Sequence, residues 1–398
     1  MPGRPTDPSH LRSLRVAITA FFALDGFVFA GWVVRIPAIK EQTGASPGAL
    51  GLALLGVSAG AVITMMLTGR LCRRFGSHPV TVACAVLLSL SVALPPLTHS
   101  APALGAVLLV FGAAFGGINV AFNSAAVDLV AALGRPVMPG FHAAFSLGGM
   151  VGAGLGSLVA GSLSPTRHLL GITVIGLLVT AAAAPTLLRH EPPAPLDHPL
   201  GEPARESGPR GPGRLDSRTR ALVVVLGLIA GCTAYGEGAL ADWGALHLEA
   251  DLDASPGVAA IGYSCFALAM TVGRLTGTTL LERLGRTTVL VAGGSTATAG
   301  MLLGSLAPSV PATLLGFAIT GLGLANIFPV AIERAGALAG PSGVATASTL
   351  GYLGMLLGPP AIGFMAEWFS LPTALTSVAV LAAFASVIAF ATRHSAAK

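Results

Sequence analysis

Charge is scarce in this chain. Asp, Glu, Lys and Arg make up 10% of its 398 residues, against about 25% in soluble globular proteins. Apolar residues take their place: 53% are hydrophobic and the mean hydropathy is +0.79, which excludes a water-soluble domain. Cysteine is also scarce. Cys72, Cys84, Cys232 and Cys265 sit in or beside apolar runs without metal-ligand spacing, so neither a disulfide framework nor a metal site is expected, and they read as small residues packed between helices. No cleavable leader is expected either: Arg4, Arg12 and Arg15 precede a full-length apolar run with no clean small-residue cleavage site, so that run reads as a first span. Enzymatic motifs are missing in any credible context. Gly56 to Gly60 spells Gly-x-Ser-x-Gly, but inside an apolar run rather than on a strand-to-helix elbow. There is no His-Glu-x-x-His pair, phosphate loop or dinucleotide fingerprint, so no cofactor and no enzymatic chemistry are expected.

What the chain does have is apolar stretches near twenty residues, each long enough to cross a hydrocarbon core of about 30 Å as a helix. Twelve are read, at 13–37, 48–70, 79–98, 101–129, 140–163 and 168–188, then 220–246, 256–281, 287–306, 311–333, 342–367 and 370–392. Residues 189–219 interrupt them with Pro, Gly and charge, a composition that cannot bury enough surface to offset its ordering entropy. The expected organisation is a six-helix half over 1–188, a cytoplasmic linker over 189–219 and a second six-helix half over 220–398. Basic residues divide unequally between the sides of this arrangement. Nineteen of 22, Arg274 among them, are assigned to one side, and only Arg35, Lys40 and Arg167 to the other. The asymmetry puts both termini in the cytoplasm of a bacterial-type inner membrane and removes any need for a nucleic-acid partner to explain the basic pI.

The two halves read as a duplication. Trp32 and Trp243 each end a first helix, and Ser-Pro-Gly follows each at Ser46 and Ser255, where Ser is expected to cap the next helix with Pro in its first turn. From each Ser to the Arg of the following Arg-x-Gly is 28 residues, Ser46 to Arg74 and Ser255 to Arg283. An acid closes the fourth helix of each half, Asp128 and Glu333, and Gly149 matches Gly354 at the same separation of 205. Parallel repeats with a solute site between them at mid-membrane are a transporter plan.

On these residues the chain resembles the major facilitator superfamily over essentially its full length. The family's loop pattern Gly-x-Leu-x-Asp-Arg-x-Gly-Arg-Arg is met by Gly69, Leu71, Arg74 and Gly76, with Arg73 where the acid is usual. The second copy keeps the acid, as Glu282 before Arg283 and Gly285. Ala23-Leu24-Asp25-Gly26-Phe27 followed by Trp32 to Pro37 is similar to the fucose-permease-like branch. The resemblance implies an all-α membrane protein of twelve transmembrane helices in two pseudo-symmetric six-helix halves, and a proton-using acid on the first helix. It also implies a central glutamate on the fourth helix, where this chain has asparagines.

Candidate site residues follow from depth. Asp25 lies near the bilayer centre, where a charge costs about 2.5–3.5 kcal/mol, so it faces a water-filled cavity, carries a proton or is held by a neighbouring helix. Glu237, between glycines on the seventh helix, is expected to line the cavity beside Tyr235. Asn119 and Asn123, one turn apart, and Asn326 on the tenth helix offer amides that either bind a polyol or join helices. His142, one turn from Ser146, is either a proton-responsive group or an interfacial anchor. Arg35 either attracts an anionic solute or snorkels.

At the cytoplasmic ends, Arg74 with Asp128 and Arg283 with Glu333 are expected to pair as a gate. The reading is a secondary active transporter of a small polar solute such as a sugar, with protons as the coupling ion. Proton-driven efflux of an apolar compound and a non-transporting receptor or scaffold stay open beside it.

Overall fold

The structure, a computed structural model, describes residues 8–45, 47–159, 162–189, 216–254 and 256–392. Ser46, Ser255 and nearly all of the 189–219 linker lie outside the described residues, so the two serine caps and the linker are not part of the description. Every described element is helical. They are α1 (Pro8–Val33), α2 (Ile36–Thr43), α3 (Pro47–Phe75), α4 (Ser77–Ser91), α5 (Ala101–Leu133), α6 (Met138–Val159) and α7 (Pro165–Arg189). The second set is α8 (Ser217–Ala250), α9 (Pro256–Leu284), α10 (Arg286–Leu306), α11 (Val310–Leu324), α12 (Ile327–Trp368) and α13 (Leu371–Ala391).

Among the described residues, nine stretches are long and apolar enough to cross a bilayer on their own. One of them, Val310–Trp368, holds two crossings, because α12 leaves helical dihedrals at Ala339 and Gly340. With α6 and α9 the crossings number twelve, six in each half. The all-helical outcome follows from the solvent: hydrocarbon offers no hydrogen bonds, so each crossing must satisfy its own backbone. The perimeter is correspondingly apolar. Leu52, Ile63, Leu158, Leu178, Val380 and Val387 are each more than 60% exposed, scattered over a surface suited to lipid rather than water.

Helix ends carry local signals. Ser100, Asp216 and Ser370 accept hydrogen bonds from the backbone N–H groups of Ala103, Thr219 and Thr373, capping α5, α8 and α13. Gly76 and Gly285, the glycines of the two Arg-x-Gly motifs, have φ of 87° and 78°, a region closed to most side chains. Each turns the chain between consecutive helices, at the same place in each half.

The repeat extends into packing. A Cβ on Gly26 of α1 would lie 2.0 Å from the carbonyl oxygen of Phe145 on α6. A Cβ on Gly231 of α8 would lie 3.0 Å from that of Leu350 on α12, and both residues of this pair stand 205 positions after their counterparts. Likewise Gly112 of α5 abuts the Val57 carbonyl of α3 at 2.0 Å, and Gly321 of α11 abuts the Phe266 carbonyl of α9 at 2.4 Å, here 209 positions on. The register drops from 209 at Gly321 to 205 at Glu333. Between the two, the tenth crossing breaks at Ala325 and Asn326, where α11 ends and α12 begins.

At one end of the molecule glycines bring the halves into close contact. There a Cβ on Gly69 would come 2.8 Å from the Ala345 Cβ, one on Gly277 2.6 Å from the Pro139 Cβ, and one on Gly336 2.7 Å from the Val127 Cγ2. Arg135, after α5, donates to Glu282 near the end of α9 at 2.7 Å. The glycine contacts within each half give a direct test. Gly112→Ala forces α3 and α5 apart and is expected to cost about 1–3 kcal/mol, lowering the melting temperature of the purified protein. Gly154→Ala, with nothing within 4 Å, should leave it unchanged.

Candidate functional site

Asp25 is fully buried in α1, and neither carboxyl oxygen has a hydrogen-bond partner among the described residues. The cause of the burial is the glycine-mediated crossing of α1 and α6: Gly26 lies on Phe145, and a Cβ on Gly148 would sit 2.0 Å from the Ala23 carbonyl oxygen. Tyr352, on α12 of the other half, lies within electrostatic reach of both Asp25 and Glu237, and its ring meets that of Phe115 edge-on at 6.0 Å. Asp25 makes no hydrogen bond to Tyr352, so these groups lie along a path between the halves without being joined.

The strongest polar contact on that path centres on a residue the sequence reading assigned to the cytoplasmic surface. Arg274, on α9, is buried, with a side chain 8% exposed. Its Nη2 donates to Glu237 Oε1 at 3.0 Å, Nη1 to Ser146 Oγ at 2.8 Å and Nε to the Ala325 carbonyl at 3.4 Å. Glu237 and Ala325 belong to the second half and Ser146 to the first. Arg274 is thus to be removed from the nineteen surface basic residues. The signal was present in the sequence: a lone arginine inside the span 256–281 is an intramembrane charge, and such charges are rare and paired.

Glu237 keeps a side chain 29% exposed and shares Arg274 with Ser146 of the other half. Tyr235 does not share that contact. Its hydroxyl bonds Ser377 Oγ of α13 at 2.8 Å, and it lines a lateral recess of about 400 Å³ with Met365, Phe369 and Thr373. The reason is helical geometry: residues two apart project roughly 200° apart, so Tyr235 and Glu237 cannot line one face.

One amide is spent within its own helix and one between helices. Asn123 Nδ2 donates to the Asn119 carbonyl at 2.8 Å, and Asn326 Nδ2, at the break in the tenth crossing, donates to the Gly273 carbonyl of α9 at 3.0 Å. The Oδ1 atoms of both Asn123 and Asn326 are buried without a partner among the described residues. His142 is buried rather than interfacial, its ring 5.3 Å from that of Phe22 in its own half and 5.7 Å from Phe328 in the other. Arg35 is buried as well and does not snorkel: its Nε donates to His168 Nδ1 at 2.8 Å and its Nη2 to the Val159 carbonyl at 3.3 Å.

The gate pairs differ from expectation. Arg74 is exposed and lies over the ring of Phe75 at 5.2 Å, while Asp128 meets Ser77 Oγ at 3.5 Å. Arg283 is exposed, and Glu333 is bound by Arg286, whose Nε approaches to 3.1 Å and whose Nη2 is closer still. Ser77 and Arg286 occupy equivalent positions, directly after Gly76 and Gly285. The positive-φ glycine swings the following residue, not the arginine two before it, onto the acid. The acid-to-base pair crossing between halves is Arg135 with Glu282 instead.

Arg286, itself half exposed, binds a Glu333 whose side chain is 4% exposed, so removing the base strands a buried acid. Arg286→Gln is expected to destabilise the protein by about 1–3 kcal/mol, read as a lower melting temperature, whereas Arg283→Gln should change it by less than about 0.5 kcal/mol.

Comparison with known proteins follows the same lines. An uncharacterized MFS-type transporter of Yersinia pestis is 35% identical over 373 residues, covering 93% of each chain. The Escherichia coli fucose:proton symporter FucP superposes with a TM-score of 0.75 at 17% identity, over 94% of this chain and 97% of that one. The proton:xylose symporter XylE superposes with a TM-score of 0.74 at 14% identity, over 96% of both. At such identities the two solved structures show the fold alone. The model of the Major Facilitator Superfamily matches residues 16–243 and 226–398, and with twelve crossings in two glycine-packed halves, this chain belongs to that family of transporters.

Proposed function

We propose that this chain is a proton-coupled secondary transporter of a small polar solute such as a sugar, and that Asp25 carries the proton. The observation behind the reading is the Asp25 carboxyl, wholly buried with both oxygens unpartnered. A charge left so bare is very costly, whereas a neutral carboxylic acid is not. A group that must be neutral when occluded and is free to ionise when water reaches it takes up a proton on one side and gives it up on the other. FucP, a fucose:proton symporter, and XylE, a proton:xylose symporter, support the same chemistry.

The proposed halves are 1–188 and 220–398, joined by the linker 189–219, in an inner membrane with both termini cytoplasmic. In that orientation the halves meet at the cytoplasmic end, and the conformation is closed inward. The solute enters between the halves from outside, where Glu237 and Arg274 meet it with an acceptor and a set of donors. Rocking of the halves then exposes solute and Asp25 together to the cytoplasm. Arg74, Asp128, Arg283 and Glu333 frame the cytoplasmic ends that must separate.

Uptake of labelled sugars and related metabolites into energised vesicles, with internal pH followed, tests this. Asp25→Asn should abolish gradient-driven accumulation and the accompanying proton entry while leaving solute exchange across the membrane measurable. Accumulation that survives the substitution, or extrusion of hydrophobic dyes with no solute uptake, would overturn it.

A further inference from the structure

The hydrogen bond between Arg274 and Ser146 is unusual in its place. Among the described residues, the side-chain hydrogen bonds seen between the halves include Arg135 with Glu282 and Arg274 with Ser146. Arg135 with Glu282 is exposed at the molecular end, with side chains 58% and 35% accessible, and solvent screens it. Arg274 with Ser146 lies within the membrane, its guanidinium buried and its donors divided among three acceptors. Two of those acceptors, the Glu237 carboxylate and the Ala325 carbonyl, travel with Arg274 in the second half. The third, Ser146 Oγ, belongs to the first, and rocking of one half against the other must break that bond.

Which way the guanidinium points depends on Glu237. The fork of an arginine is rigid and planar, so fixing Nη2 on the carboxylate and Nε on the Ala325 carbonyl leaves Nη1 aimed at Ser146. A neutral Glu237 still offers an acceptor to the charged guanidinium but no longer the opposite charge of an ion pair, so it holds Nη2 less firmly. Glu237 is also the more accessible member of the pair, 29% exposed against 8% for Arg274. The other titratable groups around it are few. Asp242 shares α8, Tyr263 stands on α9 within reach of Glu237 and Arg274, Tyr352 on α12 and Asp25 on α1 lie beyond it, and His142 on α6 faces Arg274. Helices α11 and α13 carry no charged side chain.

Resting on the transport reading above, we propose that Arg274 is a positioning residue that couples the charge of Glu237 to the contact between the halves. Ionised Glu237 orients the guanidinium onto Ser146 and holds the inward-closed state. Neutralising Glu237, by a proton or by a solute group that takes its place on Arg274, turns the guanidinium away and releases the first half. The proton on Asp25 and the latch at Arg274 are then separate elements, one carrying the coupling ion and the other reporting to the hinge that the site is filled.

The test needs no knowledge of the solute. Spin labels at Ala131 and Leu284, on opposite halves at the closed end, are introduced with the native cysteines replaced, and the distance distribution is measured by pulsed electron resonance at neutral and acidic pH. The unsubstituted latch should favour the short distance at neutral pH and shift toward the long one in acid. Glu237→Gln should show the long distance at both pH values, with the closed-to-open ratio reduced about tenfold, the factor one charge-assisted hydrogen bond carries. Ser146→Ala should do the same, and Arg274→Lys, which keeps the charge but loses the fork, should fall between. Asp25→Asn should retain the acid shift.

Distributions in Glu237→Gln and Ser146→Ala that match the unsubstituted protein would overturn the latch. So would an acid shift lost in Asp25→Asn and kept in Glu237→Gln, an outcome that leaves proton carriage by Asp25 standing. Melting curves of each variant separate a latch from a folding defect: a structural role lowers the melting temperature without a pH-dependent change in distance.

Discussion

Close approach of helix backbones governs this molecule. Within a bilayer no hydrophobic force drives helices together, because lipid is as apolar as they are, and association rests on van der Waals contact and occasional polar bonds. Glycine makes the contact close: Gly26 on Phe145, Gly112 on Val57, Gly148 on Ala23 and Gly354 on Gly231 all bring backbone within reach of backbone. Because Gly26 and Gly112 recur as Gly231 and Gly321, each half is assembled by the same joints. Between the halves, Gly69, Gly277 and Gly336 do at one end what those joints do within each half.

Tight apolar packing of this kind leaves few places for charge, and the polar groups that remain inside are correspondingly informative. Asp25 is solitary, while Glu237, Arg274 and Ser146 form a connected set across the boundary between halves. The contrast is physical. A lone acid is tolerated inside when neutral, whereas an arginine stays charged at any accessible pH and must bring partners with it. The two therefore suit different duties, one compatible with gain and loss of a proton and the other with a standing electrostatic contact.

Much of the fold was legible in the sequence because its signals are long: apolar runs near twenty residues, the Ser-to-Arg spacing of 28, and the 205-residue match of Gly149 with Gly354. The site was legible in part. Asp25 and Glu237 stand out as acids where acids are costly. Arg274 was hidden by a rule that counts basic residues as marks of the cytoplasmic side, which suits loops and misleads within a span. Tyr235 was misassigned because neighbours in sequence are not neighbours on a helical face. The partner of Glu333 was misassigned because a glycine at positive φ decides which of two nearby arginines turns toward the acid. Each miss concerns the direction of a side chain, which a spacing argument does not carry.

The break after Leu324 distinguishes the two repeats in continuity. In the first half, α5 runs 33 residues without interruption. Its counterpart stops at Leu324 and resumes at Ile327, and the gap is stitched by Asn326 onto the Gly273 carbonyl and by Arg274 onto the Ala325 carbonyl. Carbonyls freed at a helix end carry partial negative charge, so the gap supplies part of the counter-charge that lets an arginine reside in the bilayer. An unbroken fourth helix in one half thus answers an interrupted one in the other, and the interruption bonds the only guanidinium seen to reach across mid-membrane among the described residues. The repeats share their joints without sharing this opening in the backbone.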